Sequence, residues 1–148
     1  MTYYIPLSIV NMDLTPVDHL AYSTLGSGCF DIPSAEYVVI PAGEQRIIST
    51  GLRLLLRAED SSVWMLQLYP RSGLASKYGL TMINAPAIID QDYEGEIQVI
   101  LINHSKNDYE VHIGDRIAQA TFVPVFRHRD IQQTKAIRGG GGLGSTGY

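Results

Sequence analysis

Cysteine is nearly missing from this chain: Cys29 is the only one in 148 residues. No intrachain disulfide can form, which suits a reducing compartment. Metal-ligand patterns are missing too. His19, His104, His112 and His128 are scattered, without zinc-site spacing. There is no G-x-S-x-G nucleophile motif, and nothing local ties Cys29 to a histidine as a covalent thiol mechanism would need. A basic excess is lacking: 11 Lys and Arg face 15 Asp and Glu, a formal net charge of −4. That argues against a general nucleic-acid binder. An anionic small molecule would have to be held by a few well-placed Arg, Lys and backbone N–H groups. No stretch approaches the roughly 18 apolar residues of a membrane span. The start, MTYYIPLSIVNMD, lacks the basic opening and apolar core of a signal peptide. The expected location is cytoplasmic, bacterial or in a host cell if the source is a phage or virus, with neither nucleic acid nor membrane as partner.

What is present is a globular balance of 45% hydrophobic and 18% charged residues, of a length that fits one domain. Short apolar runs alternate with Gly, Pro, Asn and Asp. Tyr37 to Ile40, Arg46 to Arg57, Val63 to Tyr69, Ile97 to Ile102, Tyr109 to Ile113 and Arg116 to Phe126 read as strands. Strands interrupted this often predict an all-β sandwich or barrel-like fold. One segment differs: Ser72 to Tyr78 carries helix formers, a Ser that could cap and Gly79 as a stop, predicting one helix of about two turns. The end, IRGGGGLGSTGY, has almost nothing to bury. Residues 1–136 are therefore read as the β domain and 137–148 as a flexible Gly-rich tail.

Five segments could carry chemistry. Pro70-Arg71-Ser72-Gly73 joins a strand to a helix, where free N–H groups and an Arg fork attract phosphate. The plainer reading is a capping Ser with a surface Arg. Ile88 to Glu96, IIDQDYEGE, places four acids in seven positions. A carboxylate there could orient and deprotonate water or hold a metal through water; an acidic turn is the alternative. If the segment is extended, Asp90 and Asp92 share a face, and spacing does not choose between them. Gly114 to Gln119 puts Arg116 and Gln119 on an apolar strand, needing a structural partner or a phosphate. The tail has the glycine spacing of a Walker loop, but Ser145 stands where Lys is required. It remains a strip of N–H groups with Arg138 and two hydroxyls that could close over an anion as a lid, or a plain disordered end. Gly26 to Asp31 reads as a loop before the first clear strand.

Taken in order, PRSGLASKYGL, IIDQDYEGE, GDRIAQATFVP and RGGGGLGSTG resemble the motifs of the trimeric dUTP pyrophosphatase (dUTPase) family, from about Ala21 to Gly147. The resemblance implies a distorted jelly-roll of the β-clip type and a homotrimer with active sites shared between subunits. It also implies hydrolysis of dUTP to dUMP and pyrophosphate, with Mg²⁺ carried on the triphosphate. That reaction limits uracil incorporation into DNA and supplies dUMP for thymidylate synthesis. By the same resemblance Asp90 activates the water that attacks the α-phosphate, and Asn84, with backbone groups of a following hairpin, reads uracil. Tyr93 packs under deoxyribose and excludes a 2′-hydroxyl. Arg71, Ser72, Gly73 and Gln119 match phosphate positions, and Asp31 reaches the metal through water. Arg138, Leu143, Gly144, Ser145, Thr146 and Gly147 match the tail that folds over substrate. This sequence departs from the family in three places. Leu143 stands where an aromatic residue usually stacks on uracil. Pro86 and Ala87 occupy a hairpin expected to carry glycine near 87, and Pro86 lacks a backbone donor. Cys29-Phe30 replaces a more usual pair. The chain also resembles the related dCTP deaminases around Ile89-Asp90, but Ile100 stands where their catalytic Glu is needed, and Gly73 where they usually carry Ser. A non-catalytic binding role on the same scaffold is the other rival.

Overall fold

The computed structural model describes residues 5, 7–56, 63–132, 139–144 and 147. Among these residues ten strands and one helix follow in the order β1 (Leu7–Asn11), β2 (Phe30–Pro33), β3 (Val38–Ile40), β4 (Gln45–Leu56), β5 (Trp64–Tyr69), α1 (Ser72–Tyr78), β6 (Leu80–Met82), β7 (Ala87–Asp90), β8 (Glu96–Asn103), β9 (Tyr109–Val111) and β10 (Arg116–Pro124). One antiparallel sheet runs β1-β4-β8-β6, a second β2-β10-β5-β7, and β3 pairs with β9. The all-β expectation with one short helix holds, in a jelly-roll-like arrangement of sheets.

Alternation builds the core. In β8, Ile97, Val99 and Leu101 are buried while their neighbours are only partly covered. β4 repeats this with Ile48, Leu52 and Leu54, the period-2 signature of a sheet with one face packed. From the second sheet, Leu66, Leu68, Ile117 and Ala120 complete the same cluster. Burying each such side chain contributes about 1.5–3 kcal/mol. Asn103 is wholly buried yet satisfied: its Nδ2 donates to the carbonyls of Ile40 (2.9 Å) and Asn107 (2.8 Å), and its Oδ1 accepts from Ser105 N–H at 2.9 Å. It locks the end of β8 to the neighbouring turns.

Several local expectations change. Phe30 and Asp31 belong to β2 rather than to a preceding loop. β1, β6 and β7 are strands that the apolar runs did not announce. Ser72 is the first helical residue, not the cap; Arg71 occupies the cap position, with no side-chain cap bond. Gly79 ends the helix in the left-handed region at φ 67°, as a stop glycine should. The segment around Asn84 is not a hairpin of paired neighbours: β6 pairs with β8 in one sheet and β7 with β5 in the other, so residues 83–86 cross between sheets. Asp90 and Asp92 do not share an extended strand, because β7 stops at Asp90 and Asp92 lies in the following turn.

Candidate active site

The sheets gather two groups of polar residues at different places. The first forms where β2, β10 and β5 run side by side. Gln119 of β10 stands opposite Asp31 of β2 on one side and Tyr69 of β5 on the other. Strand β5 then delivers Pro70 and Arg71 into α1. A bulge in β10 between Arg116 and Ala118 absorbs one residue of the β2 register. Residues three apart would otherwise face opposite ways; the extra residue turns Arg116 toward the side of Gln119.

Charge is concentrated here. Arg71 Nε donates to Asp31 Oδ1 at 2.8 Å, and Arg116 Nη1 to Asp31 Oδ2 at 3.3 Å. Arg71 Nη1 also donates to the Arg116 carbonyl at 3.3 Å. One carboxylate thus splays two guanidinium groups and leaves one positive charge in excess. The Gln119 amide donates to the Pro70 carbonyl at 3.0 Å, which fixes the strand-to-helix corner. A cavity of about 320 Å³ opens on Asp31, Arg71, Ser72, Gly73 and Gln119, with Ser27, Gly28 and Cys29 on its other wall. Burial, and then the Asp31 carboxylate, push the Cys29 thiol above its ordinary value. That shift favours the thiol over the thiolate a nucleophile needs. The arrangement suits a polyanion: a charged fork, hydroxyls and backbone N–H groups around a small open space. In the sequence Arg116 is only a polar residue on an apolar strand, without an assigned role. Its proximity to Asp31, 85 positions away in sequence, depends on the sheet register.

The second group surrounds β7. Asp90, half-buried, ends that strand opposite Met65. Gln91 extends the ladder with its side chain, its Oε1 accepting from Trp64 N–H at 3.1 Å. Tyr93 N–H closes a turn onto the Asp90 carbonyl at 3.1 Å, and the Tyr93 hydroxyl donates to the Glu96 carbonyl at 3.0 Å. Asn84 is exposed in the crossover before β7. Asn84, Asp90 and Tyr93 are thus held along one short strand and its two ends.

The two groups stay apart in one chain. Asp90 is level with Met65, whereas Asp31 and Gln119 are level with Tyr69. Four residues of extended strand amount to about 13 Å, and Arg71 lies beyond Tyr69. Among the described residues, no cluster of three or more His, Cys, Asp or Glu side chains could hold a metal ion.

A family model described as dUTPase matches residues 15–147. The chain belongs to the dUTPase family. It is an enzyme, a hydrolase of nucleotide metabolism. Among curated dUTPase relatives, the deoxyuridine 5′-triphosphate nucleotidohydrolase of Nautilia profundicola is 45% identical over 130 residues, covering 86% of this chain and 89% of that protein. The protein of the same name from Maricaulis maris is 41% identical over 154 aligned positions, covering 95% and 99%. Among solved structures, the dUTPase of Streptococcus mutans superposes with a TM-score of 0.66 at 27% identity, over 74% of this chain and 87% of that one. The dUTPase of phage phi11 of S. aureus gives 0.70 at 21% identity, over 88% and 96%, a likeness of fold.

The dUTPase tail reaches the second group. Tyr93 and Gly139 form a parallel bridge, and Glu94 N–H donates to the Gly139 carbonyl at 2.7 Å. A Cβ on Gly142 would sit 3.1 Å from the Tyr93 hydroxyl, so only glycine packs there without displacement. Leu143 is exposed, and Gly144 is in the left-handed region at φ 81°. Arg138, Ser145 and Thr146 lie outside the described residues.

Proposed function

We propose that this chain hydrolyses dUTP to dUMP and pyrophosphate in sites completed by a second copy of itself, within a homotrimer. The observation that carries the reading is the division just described. The arginine-lined cavity and the half-buried Asp90 are each well formed, yet about 13 Å or more of strand separates them. A catalytic carboxylate must reach its water within about 3 Å, and the attacked phosphorus must lie about 3–3.5 Å from that water. One α-phosphate cannot meet both groups of a single chain, whereas two protomers can bring them face to face. The outer face of the first sheet supports association. Ile47 and Ile100 stand opposite each other there, Ile102 lies two pairs along, and Ile83 follows β6 with its side chain half exposed.

In this reading Asp90 of one protomer orients a water and takes its proton as the oxygen attacks the α-phosphorus in line. The bond to the bridging oxygen breaks and pyrophosphate leaves. Such a transfer needs charge neutralisation and positioning more than covalent chemistry. Arg71 and Arg116 supply fixed positive charge, and Ser72, Gly73 and Gln119 line the phosphate path. Mg²⁺ enters with the triphosphate as part of the substrate. The donor set fits that: among the described residues of the cavity wall Asp31 is the one carboxylate, and it already accepts from two arginines, so it would approach a metal through water while phosphate oxygens would supply the ligands. Asn84 reads the uracil edge, where an amino group in place of a carbonyl would leave donors unpaired and reject cytosine. Tyr93 bars a 2′-hydroxyl. The tail, from Arg138 through Leu143 to Gly147, closes over the bound nucleotide, Leu143 adding apolar contact without stacking. A panel of dNTPs with Mg²⁺, followed by product mass and pyrophosphate release, tests the assignment. Selective formation of dUMP from dUTP is expected; equal turnover of dCTP or dTTP, or none at all, contradicts it.

A further inference from the structure

We propose that Glu96 is the positioning residue for the Tyr93 ring, and through it sets how strictly the site refuses a ribonucleotide. The inference rests on reading Tyr93 as the deoxyribose filter. It starts from an irregularity in the first sheet. The β4–β8 register jumps between Ser49, opposite Gln98, and Arg53, opposite Glu96. Four steps along β4 therefore match two along β8, and Gly51 sits in the bulge at φ 70°, a left-handed conformation that favours glycine. A bulge leaves backbone groups without ladder partners, and Glu96 supplies them. Its Oε1 accepts from Gly51 N–H at 2.8 Å, and its Oε2 from Ser49 Oγ at 3.4 Å. Two further bonds hold the bulge: Glu36 Oε1 accepts from Ser49 N–H at 2.6 Å, and Thr50 Oγ1 donates to the β8 carbonyl of Ile97 at 2.5 Å.

The same residue holds the tyrosine. The Glu96 carbonyl accepts from the Tyr93 hydroxyl at 3.0 Å. The ring reaches it by folding over Gly95, where a Cβ would fall well inside contact distance of the hydroxyl and ring carbons. Glu96 thus faces two ways: its carboxylate grips the bulge of β4, and its carbonyl receives the far end of Tyr93. A flat ring excludes one hydroxyl by position alone, so a ring free to tilt excludes it poorly. The carboxylate keeps the carbonyl, and hence the ring, in place.

The test compares Tyr93→Phe, Glu96→Ala, Glu96→Gln and Tyr93→Ala, measuring kcat/KM for dUTP and for UTP with melting curves and oligomeric state as controls. Tyr93→Phe keeps the ring and removes the hydroxyl that donates to the Glu96 carbonyl. Glu96→Gln keeps an acceptor for Gly51 N–H; Glu96→Ala does not. Expected is a rise of roughly five- to tenfold in relative UTP use for Tyr93→Phe and Glu96→Ala, the worth of one lost hydrogen bond, with Glu96→Gln close to the parent. Relaxation in Tyr93→Ala alone overturns the proposal while leaving Tyr93 as the filter. An unchanged ratio in Tyr93→Ala overturns both. Equal relaxation in Glu96→Gln and Glu96→Ala overturns the role of the bulge contact. Should Glu96→Ala fail to fold, Tyr93→Phe and Glu96→Gln still decide, because parent-like discrimination in Tyr93→Phe overturns the proposal.

Discussion

Replacing Arg71 by lysine keeps the charge of the phosphate cradle and removes its geometry. The guanidinium contributes two donors to the protein, Nε to Asp31 at 2.8 Å and Nη1 to the Arg116 carbonyl at 3.3 Å, and its remaining N–H groups are available to phosphate. A lysine ammonium is one point at the end of a flexible stem. If it meets Asp31, it can no longer present a fixed fork to the substrate. The loss is then one charge-assisted hydrogen bond, about 1.5–3 kcal/mol, or roughly a 10- to 150-fold fall in kcat/KM for dUTP. The cost to stability is smaller, because the Arg71 side chain is about a quarter exposed. About 1 kcal/mol is expected, which lowers Tm by a few degrees in a chain of this size. Steady-state kinetics at fixed ionic strength, paired with a thermal melt, reads both. Turnover within twofold of the parent would refute the reasoning, since it would mean the cradle works by net charge alone.

Other expectations follow from single contacts. Asn103→Ala takes the side-chain donor from the carbonyl of the buried Ile40 and frees the turn at Ser105 and Asn107; a loss of about 1–3 kcal/mol, visible as a denaturant midpoint shift, is expected. The Cys29 thiol, raised by burial and by Asp31, should react slowly with iodoacetamide at neutral pH. Its rate should climb only as the pH passes the ordinary thiol range, because a raised value delays the thiolate; fast labelling at pH 7 would contradict this. Truncation before Arg138 should leave a folded oligomer with little dUTP hydrolysis, measured by pyrophosphate release beside size-exclusion chromatography.

The long strands were legible because their pattern is carried within one element. Ile97, Val99 and Leu101 alternate with less buried neighbours, and the helix is bracketed by Pro70 and Gly79. The short strands were not. β6 and β7 have three and four residues, too few for a period, and the exposed Ile83 and Ile88 blur the alternation. The hairpin at Asn84 came from the family resemblance, and its flanking strands go to different sheets. Ser72 looked like a cap because side-chain type signals capping; the chain instead uses Ser72 as the first helical residue. In the candidate site, residue types were legible and distances were not. Arg71, Gln119 and Asp31 come together through strand register across 40 to 88 positions of sequence, and Arg116 joins them only because of a bulge. Asp90 stands at the other end of β5 from these groups, a separation set by strand register that motif order does not reveal.

That separation makes complementation the most direct test of the central claim. Asp90→Asn and Arg71→Ala each remove one half of every site in a homo-oligomer, and each protein alone should be nearly inactive toward dUTP. Mixed by unfolding and refolding in equal amounts, the two chains should recover activity. About a quarter of the sites would then pair an intact Asp90 with an intact Arg71 from a different protomer. Recovery toward a quarter of parent turnover is the predicted result; a mixture no more active than its parts would contradict an active site shared between chains.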